Sequence, residues 1–170
     1  EIKRRLAFST VSQLSYITLG AAMAGPVALI GALVHLVHQG IMKITLFFCA
    51  GVFTETRGIQ NIREMSGVGR SMPLTMSAFT LGAFGMIGIP PLAGFVSKWY
   101  LVLGALEEDQ WIPAILIAFS SLLTLIYFVR LFEQIFVRSP QEAVVERARE
   151  PGPRVVGTVG VLAVAIIAVG

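Results

Sequence analysis

Lys43 and Lys98 each stand inside a long apolar stretch of the chain. A cation near the midplane of a bilayer is costly unless it faces a partner or a wet cavity. A lysine at that depth is therefore read first as a site of ion or proton movement. The residues before Lys43 extend this reading. His35, Gln39 and Lys43 follow at i, i+4 and i+8, which stacks them along one side of a helix, with His38 one turn from His35 on the adjoining face. An imidazole, an amide and an amine in a row can hold a proton or hand it on through intervening water near neutral pH. The competing reading is structural, since buried histidines also hydrogen-bond one membrane helix to the next.

Lys98 has a different setting. The apolar run from Met72 to about Ala105 is longer than one straight span needs, and Gly85, Gly88, Pro90, Pro91 and Gly94 lie near its middle. Proline donates no backbone hydrogen bond and pushes the residue before it out of the helical region, so a helix break is predicted around Gly88, Pro90, Pro91 and Gly94. Broken backbone at membrane depth is tolerated only where protein or water satisfies it, as in the discontinuous helices of transporters. Lys98 follows one to two turns later, beside backbone opened to hydration. An ordinary proline kink used for packing is the alternative. Ser97 could bond a freed carbonyl or a water. Trp99 and Tyr100 could lie in an interfacial belt or pack around the lysine.

Long helices are needed to hold these side chains. Of the 170 residues, 55% are hydrophobic and 14% charged, and the apolar ones come in runs longer than a globular core helix uses. An integral membrane protein is the expectation. Runs near the ~20 residues that cross a hydrocarbon core cover about Leu6 to Met23, Val27 to Phe53, Leu74 to Leu103, Ile112 to Val137, and Val155 to Gly170. The predicted fold is all-α, with about five transmembrane helices, the third of them discontinuous. The chain opens on a charged segment without an initiator Met and stops inside its fifth run, as a fragment would. Its start shows no n-region, h-region and cleavage site, so the first span does not read as a signal peptide.

The single Cys49 has no second cysteine and no ligand spacing, which excludes a disulfide or a cysteine-based metal site within the chain and leaves a small buried hydrophobe. The sequence holds no Gly-rich phosphate loop, nucleophile triad or paired acid/base carboxylate. No cofactor, metal or catalytic site is expected in this chain, and redox or nucleotide chemistry would belong to other chains.

The net charge of +3 matters less than its distribution. Lys3, Arg4 and Arg5 precede the first run. Arg57, Arg63 and Arg70 lie between the second and third, and Arg138, Arg147, Arg149 and Arg154 between the fourth and fifth. With five spans these segments share one side, whereas the opposite turns, Ala24 to Pro26 and Glu107-Glu108-Asp109, have no Lys or Arg. The positive-inside rule places the chain start in the cytoplasm and the Glu107 turn outside. This asymmetry accounts for the basic balance without a nucleic-acid partner. Arg130 is expected to meet Glu133 on one helical face and to snorkel toward the headgroups. Glu55 to Ser71 reads as a solvated or subunit-contacting connection, and Arg138 to Arg154 as a surface helix ended by Pro151-Gly152-Pro153.

Particular stretches give the chain a family likeness. They are Lys3-Arg4-Arg5-Leu6-Ala7-Phe8-Ser9-Thr10-Val11-Ser12-Gln13, His35 through Lys43, Met65-Ser66-Gly67, and Gly88-Ile89-Pro90-Pro91-Leu92-Ala93-Gly94-Phe95-Val96-Ser97-Lys98. On these residues the chain resembles the proton-translocating antiporter-like subunits shared by respiratory complex I (NADH-quinone oxidoreductase) and the Mrp-type multisubunit cation/proton antiporters. From Met65 to Phe132 it looks most like the D subunit of the Mrp type. The resemblance implies a subunit of about fourteen helices containing inverted repeats. Residues 1–137 would then be the C-terminal part of the proton-translocating domain, most of its second inverted repeat. Residues 138–154 would be a cytoplasmic loop, and residues 155–170 the start of a further, truncated transmembrane helix.

The resemblance matches His35 and Lys43 to the family's central histidine and lysine, and Lys98 to the lysine of its second broken helix. Where many members have a second histidine four residues after the first, this chain has Gln39, with His38 displaced by one. Glutamine can orient water but cannot titrate. The family's N-terminal repeat, with its glutamate and lysine pair, is not in this sequence.

The implied function is proton or cation/proton translocation by a subunit of a multi-chain complex, through Lys43, Lys98, His35, His38, Gln39 and water. A D-like subunit of an Mrp-type Na+/H+ antiporter is expected first, and an antiporter-like subunit of an NADH-quinone oxidoreductase or membrane hydrogenase second. Implied partners are other membrane subunits, the lipid bilayer, protons and, for an antiporter, Na+. The implied location is multi-pass in a prokaryotic plasma membrane. A non-conducting scaffold, its lysines paired with carboxylates of adjacent helices, is a reading of a different class. No acidic residue lies deep in any run, so those carboxylates would have to be elsewhere.

Overall fold

Prolines and glycines set many of the helix boundaries in the computed structural model, which describes residues 1–59, 61–137 and 150–170 apart from the side chains of Thr56 and Arg57. The order is α1 (Ile2–Ala22), α2 (Pro26–Arg57), a 3-10 turn (Ile62–Met65), the one-turn helix α3 (Val68–Ser71), α4 (Pro73–Ile87), α5 (Ala93–Glu107), α6 (Trp111–Phe132) continued by a π-helical turn (Glu133–Val137), and α7 (Pro153–Ala168). Pro26, Pro73 and Pro153 each begin a helix, where a missing N–H is no loss. Gly58 and Gly88, at φ 64° and 92°, end α2 and α4 in the left-handed conformation that glycine adopts without a Cβ clash.

The chain is all-helical, with no strand among the described residues. Among the described residues two helices are long and apolar enough to cross a bilayer, Pro26–Glu55 within α2 and Trp111–Val137 through α6 and its continuation; Pro73–Ile87 and Pro153–Ala168 are apolar but shorter. The expected five is not reached on this criterion. The third run divides into two helices of 15 residues each, the fifth has 16, and α1 carries Lys3, Arg4 and Arg5 within its helix.

α2 runs antiparallel to α4 and α5 taken end to end. Along α2, Ala28 lies against Gly104, Gly31 against Leu101, His35 against Ser97 and His38 against Ala93; then Met42 meets Gly85, Leu46 meets Gly82 and Cys49 meets Thr75. The third run is therefore one interrupted rod, its halves joined by the non-helical residues 88–92. Glycine lets the backbones approach this closely: a Cβ on Gly104 would lie 2.3 Å from the Ala28 nitrogen, and one on Gly94 1.8 Å from the Gly85 oxygen. α1 is also antiparallel to α2, since Lys43 reaches Leu6 while Gly20 packs against Ala28 and Ala32. The end of α7 returns to the break, where Gly170 lies against Pro91 and Ala93.

The connections tie the ends of the bundle. Glu150 accepts hydrogen bonds from the N–H of Leu74 (2.6 Å) and Thr75 (3.2 Å) and from the Thr75 hydroxyl (2.7 Å), placing a carboxylate at the positive end of α4. Gly67 N–H donates to Ile135 O at 3.2 Å, which holds the α2–α4 connection against the end of α6. At the opposite end Gln110 donates to Met23 O at 3.4 Å, next to the Glu107-Glu108-Asp109 turn. Arg130 and Glu133 are both exposed near the end of α6. Most of the surface helix expected over Arg138 to Arg154 falls outside the described residues; 150–152 are not helical, and α7 starts at Pro153.

Candidate functional site

The core is two apolar clusters, one including Tyr16, Ala28, Ala32 and Leu101, the other including Leu6, Met42, Leu46 and Met86. Where one cluster gives way to the other, three helices turn polar together. α1 contributes Gln13, α2 contributes His35, His38, Gln39 and Lys43, and α5 contributes Ser97 and Lys98, all of them buried. Lys43 lies about 25 Å from the start of α2 and about 20 Å from its end by helical rise. Lys43 and Lys98 are 5% and 6% exposed, so neither side chain snorkels out.

The helix break supplies the acceptors for Lys98. A helix leaves its last carbonyls without intrahelical partners. At the end of α4 the carbonyl of Phe84 is met by the N–H groups of Gly88 (3.0 Å) and Ile89 (3.2 Å), and that of Gly85 by Gly88 (3.0 Å). Lys98 Nζ takes the next two, donating to Met86 O at 2.9 Å and Ile87 O at 3.1 Å. A cation at a helix C-terminus also suits the helix dipole. On its other side the Lys98 amine lies 5.4 Å from the Tyr16 ring centroid, within cation–π range. Trp99 and Tyr100 do not pack around the lysine: Trp99 stacks on Phe95 at 5.9 Å between centroids, and both residues are exposed.

The histidines cross from α2 to α5. His38 Nδ1 donates to Ala93 O at 2.6 Å, which puts its ring proton on Nδ1 and leaves Nε2 an acceptor in the neutral form. His35 Nδ1 and Ser97 Oγ share a hydrogen bond of 2.8 Å, and the Tyr16 ring meets the His35 ring edge-on at 5.2 Å. Lys43 turns the other way, toward α1, where its amine donates to Leu6 O at 3.0 Å and to the Ser9 hydroxyl. The structure thus brings His35 and Lys98 to one locus and places Lys43 at another along the same polar layer, with Gln39 between them on α2.

Sequence reasoning missed the contribution of α1. Ser9, Gln13 and Tyr16 sit three or four residues apart on the buried side that also carries Leu6 and Gly20. A glutamine and a tyrosine in register with that apolar stripe were the available signal. Gln13 Oε1, Tyr16 Oη, His35 Nε2 and Gln39 Oε1 are all buried without a hydrogen-bond partner among the described residues. Buried polar atoms seldom go unpaired unless water or a functional role accounts for them. Among the described residues no group of His, Cys, Asp or Glu side chains could hold a metal ion.

Residues 1–124 match the family described as "NADH:quinone oxidoreductase/Mrp antiporter, TM". The chain belongs to this family. It is a membrane protein of the antiporter-like type found in complex I-like and Mrp complexes. NADH-quinone oxidoreductase subunit N of Desulforudis audaxviator is 44% identical to it over 156 residues, covering 91% of this chain and 31% of that protein. The F(420)H(2) dehydrogenase subunit L of Methanosarcina mazei is 36% identical over 154 residues, covering 83% of this chain and 23% of that protein. The chain thus spans a third or less of the curated relatives it matches. A chain in the Mrp complex from Dietzia sp. DQ12-45-1b shares the fold at a TM-score of 0.86 and 26% identity, covering 96% of this chain and 38% of that one.

Proposed function

We propose that these residues are the C-terminal part of an antiporter-like subunit that moves protons across a membrane, with Lys43 and Lys98 as the groups that take up and release them. The observation that carries the reading is how each amine is held. Lys98 donates to two carbonyls, and Lys43 to one carbonyl and one hydroxyl. An ammonium has three N–H donors and a neutral amine has two. Both acceptors therefore stay satisfied when the third proton leaves, and among the described residues no carboxylate holds the charge in place. His35, His38 and Gln39 order the water between, and a charge on one lysine disfavours a charge on the other, which lets a neighbouring subunit drive the exchange.

In this reading about five spans cross the membrane, namely α1, α2, the α4–α5 rod, α6 and α7, the last being the start of a further helix beyond residues 138–154. The basic ends face the cytoplasm of a prokaryotic cell. Other membrane subunits are the partners. The 44% and 36% identities to subunits of an NADH-quinone oxidoreductase and an F(420)H(2) dehydrogenase support a redox-driven complex ahead of the Mrp D subunit expected from the sequence. The likeness to the Mrp complex, at 26% identity, supports a cation/proton antiporter as the second reading. Proton uptake by vesicles containing the complete complex tests the function. Lys43→Ala and Lys98→Ala should each abolish it, with assembly measured separately for each variant; normal uptake by both would overturn the reading in favour of the scaffold.

A further inference from the structure

We infer that Gln13 and Tyr16 of α1 form the bridge over which a proton passes between Lys43 and Lys98. This rests on the relay reading of the two lysines. Lys43 meets α1 at Leu6 and Ser9, and Lys98 meets it at Tyr16. Those contacts are separated by about 10 Å along the helix axis. Ser9, Gln13 and Tyr16 fall at i, i+4 and i+7, one continuous side of α1. Gln13 sits in the gap.

Both α1 and α2 carry, in this polar layer, buried polar atoms that have no hydrogen-bond partner among the described residues. Gln13 and Tyr16 are 1% and 4% exposed, yet among the described residues Gln13 Oε1 and Tyr16 Oη have no partner, and neither do His35 Nε2 and Gln39 Oε1 on the facing helix. Gln13, Ser9 and Ser12 also line a cavity of about 390 Å³ between α1, α4 and α6, together with Tyr127, whose buried hydroxyl is likewise unpaired. The wall of this open groove is mainly apolar, and Ser9, Ser12, Gln13, Ser120, Thr124 and Tyr127 are the polar groups at which water can enter beside Gln13. Packing alone does not account for the two side chains. The ring contacts of Tyr16 with His35 and Lys98 would be made equally by phenylalanine, so they leave the buried hydroxyl unexplained. A leucine would fill the position of Gln13 without the cost of burying an unpaired amide.

In one transfer the Lys43 ammonium gives a proton to water held by Gln13 Oε1. The excess proton moves along that water to the Tyr16 hydroxyl, which accepts it on a lone pair and releases its own proton to a second water, and that water protonates the Lys98 amine. Lys43 ends as an amine and Lys98 as an ammonium, with Gln13 and Tyr16 chemically unchanged.

The test uses the complete complex in proteoliposomes, with the rate of proton uptake measured in H2O and D2O and assembly checked by thermal stability. Tyr16→Phe removes one oxygen and keeps the ring; it should slow uptake several-fold and enlarge the solvent isotope effect while leaving thermal stability unchanged. Gln13→Leu should slow uptake further, and Gln13→His, which keeps a hydrogen-bonding group, should recover part of the rate. If the leucine variant does not assemble, Tyr16→Phe decides alone. Parent-like uptake and isotope effect in Tyr16→Phe, or in the double variant, while Lys98→Ala remains inactive would overturn the bridge and leave the lysine relay standing. Normal uptake in Lys43→Ala and Lys98→Ala would instead remove the relay itself.

Discussion

The amine of Lys98 lies 2.9 Å from the carbonyl oxygen of Met86, a residue twelve positions earlier on the far side of the helix break. The lysine thus caps the half-helix that its own half-helix follows. The break and the buried cation solve each other's problem: the interrupted backbone leaves carbonyls without N–H partners, and the amine needs acceptors where no carboxylate of the described residues stands.

Gly88 is where this arrangement is most exposed to mutation. Its φ of 92° is left-handed, and a Cβ there would come within 3.2 Å of Lys98 Cδ. Gly88→Ala should cost about 1–2 kcal/mol from the backbone alone and displace the lysine, lowering both the unfolding temperature of the solubilised complex and its proton uptake. Gly94→Ala should be worse, because its Cβ would lie 1.8 Å from the Gly85 oxygen and the half-helices would have to separate. Parent-like unfolding temperatures for both variants would contradict this packing.

The sequence was informative where a residue type is an exception in an apolar run. Pro90-Pro91 and Lys98 stood out in an apolar run because bilayers penalise both, and the same contrast marked His35, His38, Gln39 and Lys43. Gln13 and Tyr16 were harder to see, because one glutamine and one tyrosine on a helix that also carries Ser9, Ser12 and Ser15 look like ordinary small polar variation. Only the antiparallel packing of α1 on α2 puts them level with the lysines. The acceptors of Lys98 were illegible for a different reason: they are backbone carbonyls, freed by the geometry of the break, and side-chain types do not report them. The setting of Trp99 was likewise open until its stacking on Phe95 placed it away from the lysine.

Glu150 should stabilise the bundle from outside the polar layer. Its carboxylate accepts from Leu74 N, Thr75 N and Thr75 Oγ1 at the start of α4. Glu150→Ala removes an N-terminal cap and a favourable dipole interaction, a loss of about 1–2 kcal/mol by analogy with other caps. Glu150→Gln keeps an acceptor and should cost less. Chemical or thermal unfolding of the complex at low and high salt separates the two contributions: the alanine variant should be less stable at both, and the difference between Glu and Gln should shrink as salt screens the charge.

The orientation follows from the same end-to-end asymmetry. Lys3 and Arg63 belong to the end where α1 starts and α4 begins, and Glu107 to the opposite end, beside Met23 and Gln110. Single cysteines at positions 63 and 107, in a subunit otherwise free of cysteine, should be protected from and open to an impermeant thiol reagent added outside intact cells, respectively. External labelling at position 63 would reverse the assignment.

Replacing Lys98 by arginine separates a transferable proton from a fixed charge. Guanidinium retains the positive charge and can still donate to Met86 O and Ile87 O, so a cation needed only to cap α4 should tolerate the change, at least in part. It does not give up its proton at accessible pH. In a relay, Lys98→Arg should therefore impair proton uptake nearly as severely as Lys98→Ala while assembling better, because alanine leaves the two carbonyls unpaired. Lys43→Arg should follow the same pattern at Leu6 and Ser9. Arg130→Lys is the internal control: at an exposed site near the end of α6 it should leave uptake close to the parent rate. The decisive combination is assembly with activity. Arginine variants that assemble and pump normally at both positions would make the lysines structural cations, and arginine variants that assemble without pumping would leave proton release as the property that was lost.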